Sequence, residues 1–214
     1  MTRLGLSLAL AWALCAAAAS VTAQTADPAP PPAGSHIAAD TAAFLAGAAV
    51  ALGAHEAGHL AFDVVFQADP TVKAVQFGPF PFFAVTHSDM VSPRREFTIS
   101  SAGFWMQEAT DEWLLTSRPS LRREHAPFVK GLLAFNILNS IGYAGVAFFR
   151  AGPFERDTRG MTATGIDERA IGVMVLAPAV LDAYRYLRPS ARWAAWASRA
   201  AKVGSVVMVA KGSG

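Results

Sequence analysis

Apolar residues fall in long blocks along this chain, parted by short polar connectors, and do not trace the one-sided stripe of an amphipathic helix. The first block runs from Leu4 to Ala19 behind Arg3 and ends at Val21-Thr22-Ala23. A basic start, an apolar centre and a small-residue end predict a secretory signal peptide, or an uncleaved signal anchor, over residues 1–23. Residues 24–36 are rich in proline and small residues, and read as an extended linker. The second block, 37–66, is long enough to cross a bilayer as a helix, which takes about 20 residues.

Asp69-Pro70 breaks that helix, and two short apolar runs flank Gly78-Pro79, which predicts a hairpin or re-entrant loop. A less hydrophobic helix follows over 96–115, with Ser100-Ser101-Ala102-Gly103 offering small residues for close packing. Residues 118–130 form a basic connection that contains His125. The block 132–149 is apolar apart from Asn136, Asn139 and Ser140, and the block 166–187 contains Pro178 and Asp182. Between them, 150–165 reads as a polar loop. Over 188–214, Arg192, Trp193, Trp196, Arg199 and Lys202 predict an interfacial helix with a C-terminal tail. The pattern therefore describes an all-α membrane protein with about four transmembrane helices and a small hairpin after the first. Residues 37–187 make up its membrane domain.

Composition agrees. Hydrophobic residues make up 53% of the 214 and charged ones 16%, with a mean hydropathy of +0.32, which points to lipid as the surrounding solvent. A net charge of only +2 gives no support to a nucleic-acid partner. The lone cysteine, Cys15, lies inside the signal block, so the mature chain would hold no disulfide, thiolate ligand or thiol nucleophile.

His55-Glu56-Ala57-Gly58-His59 changes the picture from architecture to chemistry. On a helix, positions i and i+4 share a face, so His55 and His59 can reach one zinc ion. Glu56 can then serve as general base toward a water activated at that site. Ionisable groups in a membrane helix call for a compensating partner, and a shared metal is one. His87 ends the hairpin and could approach the same metal, although a lone loop histidine is more often only hydrogen-bonded. Asn136 and Asn139 require partners, either across helices or near the site.

With these residues in place the chain resembles the site-2 protease family of intramembrane zinc metalloproteases. The likeness is carried by the helical His55-Glu56-Ala57-Gly58-His59, the apolar hairpin after it, and the helix with Phe97 to Gly103. The family usually has proline after the Ala-Gly pair, where Phe104 stands here, and its late aspartate motif has no clean copy. The resemblance implies a third ligand that is an aspartate. Asp182 fits the family's motif better by letters and Asp157 better by position. Asp157 returns to the side on which the first helix ends, whereas Asp182 lies about 16 residues farther on, roughly 24 Å along a helix. Asp157 is preferred and Asp182 is the alternative. Ion pairs of Asp157 with Arg156 or Arg159, and of Asp182 with Arg185, are the competing structural roles. Glu108 or Glu112 would be the third ligand of a soluble zincin, which hydropathy opposes.

The resemblance implies an integral membrane endopeptidase of a bacterial inner membrane, inserted by the secretory route. Its substrate would be a membrane or membrane-proximal peptide, added as a strand to the hairpin and positioned by Asn136 and Asn139. The alternative is a non-enzymatic membrane scaffold in which the histidine cluster braces helices.

Overall fold

The structure is a computed structural model that describes residues 33–77, 80–87 and 90–211. The expected signal peptide, and the linker as far as residue 32, lie outside the described residues. The chain divides into two units, 1–39 and 40–214, and the fold described below is that of the second.

Helix α1 spans Ala33–Phe66, so it begins inside the stretch expected to be linker. Its end is set by the backbone. Gln67 takes a left-handed conformation (φ 56°), and the Ala68 N–H reaches back to the Asp63 carbonyl at 2.9 Å, as in a Schellman cap. The chain then forms a hairpin of β1, Pro70–Phe77, and β2, Phe80–His87. The strands pair antiparallel from Pro70 opposite His87 to Phe77 opposite Phe80. The break and hairpin expected after the first helix are therefore present.

Helix α2 covers Pro93–Ser117, starting on a proline behind the Ser92 cap. It is the interior helix. Every residue from Phe97 to Phe104 is buried, because glycine, alanine and serine let neighbouring helices approach it. Helix α3, Pro127–Phe149, starts five residues before the expected 132 and takes in Lys130. After it, residues 150–167 contain an α-helical turn, Asp157–Gly160, followed by a 3-10 turn, Met161–Thr164, inside the predicted polar loop. Helix α4, Glu168–Leu187, is capped by Asp167, and helix α5 spans Arg192–Lys211. Among the described residues, three helical stretches are long and apolar enough to cross a membrane: His36–Phe66, Pro127–Phe149 and Glu168–Leu187.

Two apolar clusters hold the helices together. Phe97 and Phe104 of α2 pack with Met161, Ile171 and Val175. Leu114 and Leu115 pack with Leu121 and Leu133. Where α1 crosses its neighbours, glycine is obligatory. A methyl group on Gly58 would lie 2.6 Å from the Ala102 carbonyl oxygen. One on Gly47 would lie 1.9 Å from that of Phe128.

Candidate metal centre

His55 and His59 sit one turn apart on α1 and are almost fully buried, facing α2 and the 150–167 loop. Their Nε2 atoms are 3.2 Å apart. Asp157, at the start of its helical turn, brings Oδ2 to 3.1 Å from His55 Nε2 and 3.5 Å from His59 Nε2. These three atoms form a group that can hold a metal ion. Burial opposes the charge on Asp157, but His59 and His55 beside it outweigh burial and keep its carboxyl below the usual carboxylate range.

The surroundings fix each of the three. His59 Nδ1 donates to the Ile99 carbonyl at 2.7 Å, which leaves Nε2 as the lone-pair nitrogen. Gly103 supplies space: a methyl there would lie 2.6 Å from both His55 Nδ1 and His59 Nε2. His55 Nδ1 has no hydrogen-bond partner among the described residues. Edge contacts with the Phe104 ring, 5.4 Å between centroids, hold the imidazole by packing instead.

Asp157 is braced from both sides by Glu168, the first residue of α4. Glu168 accepts from Arg156 Nε at 2.7 Å and Nη2 at 2.9 Å, and from the Thr158 hydroxyl at 3.1 Å. Arg156 also donates to the Pro153 carbonyl at 3.0 Å. The ligand loop thus hangs from a buried ion pair that sequence reasoning missed. Nothing in the spacing of Arg156 and Glu168 marks them as partners.

A cavity of about 420 Å³ opens onto the cluster. Helix α1 lines it with Leu52, His55 and Glu56, the hairpin with Val75 and Phe83 to Val85, and α3 with Leu138, Asn139 and Tyr143. Glu56 therefore shares one chamber with His55 and Asp157. A second cavity, about 370 Å³, lies on the side of His59 and Asp157 and is walled by Thr86, His87 and Glu96.

The remaining candidates fall into two groups. Asn139 lines the first cavity and donates to Gln107 Oε1 at 3.5 Å. Asn136 is buried across the helix interface and donates to Asp111 Oδ1 at 2.7 Å. His87 lies between two carboxylates, with Nδ1 3.3 Å from Asp63 Oδ1 and Nε2 2.8 Å from Glu96 Oε2. Asp182 is engaged with Arg185 at 3.1 Å, Ser198 at 2.6 Å and Lys202 at 2.7 Å. Glu112 pairs with Arg185 and Arg199, and Glu108 accepts from Ser205. His125 pairs with Asp40 at the surface.

Comparison of the chain with protein-family models, with curated proteins and with solved structures gives no match.

Proposed function

We propose that the chain is a membrane-embedded zinc-dependent endopeptidase of a bacterial inner membrane, exported by the secretory route, that cleaves membrane or membrane-proximal peptides. The observation that carries this reading is the meeting of His55, His59 and Asp157, from α1 and a distant loop, at a cavity that also contains Glu56.

Zinc suits the donor set. Tetrahedral coordination with bonds of about 2.0–2.1 Å requires ligand atoms about 3.3–3.4 Å apart. The three separations here, 3.1, 3.2 and 3.5 Å, bracket that value. Two imidazole nitrogens facing each other at 3.2 Å also need a cation or a shared proton between them. Zinc held by His55, His59 and Asp157 supplies Lewis acidity toward water and a peptide carbonyl.

The chain's own groups do the rest. Glu56 takes the proton of the attacking water and delivers it to the departing amine. The apolar walls of the cavity receive hydrophobic side chains. The hairpin is a sheet of two strands, and an extended peptide added along one side would form its third. Asn139, at the cavity wall, is placed to hold that peptide. Asn136 would act through the α2–α3 interface instead.

Glu56→Gln tests the mechanism. The variant should keep one zinc per chain and lose cleavage of a membrane peptide by about 10²-fold or more. Unchanged cleavage refutes the assignment. A protein with no bound zinc in either wild type or His55→Ala would be the scaffold, in which the 3.1 Å contact of His55 with Asp157 only ties two segments together.

A further inference from the structure

Helix α5 is polar on the side it turns inward and apolar on the side it turns outward. Ala194, Ser198, Lys202 and Ser205 are buried, at helical spacing. Trp193, Trp196, Val203, Val206 and Val207 are exposed. A helix lying on a protein in water has the opposite arrangement.

The inward side is held by charge. Lys202 Nζ lies 2.7 Å from Asp182 Oδ2 of α4 and 3.3 Å from Glu112 Oε2 of α2. Arg199 donates to Glu112 at 2.7 Å, and Ser198 donates to Asp182 at 2.6 Å. Lys202 thus finds carboxylates inside the protein, and Arg199, two-fifths exposed, reaches back to Glu112 and the Thr116 hydroxyl while its guanidinium lies over the Trp196 ring at 5.7 Å. A helix of 20 residues is about 30 Å long, the thickness of a bilayer's hydrocarbon core. Arg192 and Trp193 stand at its first turn and Lys211 is its last residue, where interface anchors belong. The outer surface continues onto α4, one of the three helices suited to crossing a membrane, through the rings of Tyr184 and Trp193 at 5.2 Å.

We infer that the outer face of α5 packs against the acyl chains of a lipid bilayer. The helix crosses the membrane with Lys202 turned into the protein and does not lie on the surface. Its hydropathy is lowered in part by buried residues, Ser198, Lys202 and Ser205. The inference rests on membrane embedding and is independent of peptidase activity.

Single cysteines test it in a chain carrying Cys15→Ser, reconstituted in vesicles opened so that a membrane-impermeant maleimide reaches both faces. Val203→Cys and Val206→Cys probe α5, Ile141→Cys on the exposed side of α3 is the membrane reference, and Ser190→Cys is the aqueous reference. Thiolates are suppressed in apolar surroundings. The α5 and α3 positions should label at least about tenfold more slowly than Ser190→Cys, and all should label alike after denaturation in SDS. Rapid labelling of both α5 positions with Ile141→Cys protected overturns the inference while sparing the membrane reading. Rapid labelling of Ile141→Cys as well overturns both. Protection accompanied by disulfide cross-linking of Val206→Cys between chains assigns the face to a second copy and also overturns it.

Discussion

Glu168 holds Arg156 through two parallel hydrogen bonds, 2.7 and 2.9 Å, and both side chains are more than nine-tenths buried. The pair stands beside Asp157 in the chain, and Thr158 on the other side of Asp157 binds the same carboxylate. The position of Asp157 in the His55, His59 and Asp157 group is thereby delegated to a residue outside that group.

Glu168→Ala should consequently act on metal binding at a distance. Breaking a buried pair leaves Arg156 uncompensated, at a cost of about 3–5 kcal/mol in stability. Loss of such an outer contact weakens metal affinity by about 10–100-fold. Zinc titration together with thermal unfolding checks both effects. Full affinity in a folded variant would remove Glu168 from the support of Asp157.

Gly103→Ala offers a test with no change of charge. The added methyl falls within 2.6 Å of both imidazoles, so the two rings must move. Zinc affinity should drop at least about tenfold with helicity unchanged. Gly145→Ala, where the new methyl meets nothing within 4 Å, should bind zinc like the parent.

The two aspartates weighed for the third ligand should separate cleanly. Asp157→Asn should lose zinc affinity by more than about 100-fold. Asp182→Asn should retain it and lose stability on the order of 3 kcal/mol, because it strips charge from a site shared by Arg185 and Lys202. Inductively coupled plasma analysis of the purified variants, before and after a chelator, decides between them.

The hairpin is tied down at both strands. Lys73 of β1 pairs with Glu155 of the ligand loop, and His87 of β2 lies between Asp63 and Glu96. The Lys73 ammonium holds the Glu155 carboxyl below its usual range. A depressed carboxylate pKa means the tie is complete above the ordinary value, about 4.3, and is lost only as pH falls through the lowered one. Corrected for the intrinsic pH dependence of exchange, protection of β1 amides should hold down to that ordinary value and decline below it. In Lys73→Ala it should be lower above that value by up to about fivefold, the worth of an exposed ion pair.

Much of this could be read from the residue order, for definite reasons. The blocks 37–66, 132–149 and 166–187 announce helices because each is apolar over more than four turns, and Asp69-Pro70 with Gly78-Pro79 leaves little choice but a hairpin between them. His55 and His59 declare a shared target by their spacing, which a helix converts into geometry directly. The boundaries at Ala33 and Pro127 were less legible: alanine, and proline at a first helical turn, are as compatible with helix as with linker. Contacts between distant segments were not legible at all. Asp157 reaches His55 across 102 positions, and Arg156 finds Glu168 only after α4 has packed. Nor does the spacing of Arg199 and Lys202 show that their acidic partners, Glu112 and Asp182, sit on two other helices.

Among its contacts with neighbours, helix α1 comes against their backbone at Gly47, facing α3, and at Gly58, facing α2, which are eleven residues or about 16 Å apart. A rod seated on two bearings can neither roll nor slide without lifting off one of them. The histidines flank the second bearing, so their direction is set by the framework of α1 and α2. The hairpin is held differently, by side-chain contacts of Lys73 with Glu155 and of His87 with Asp63 and Glu96.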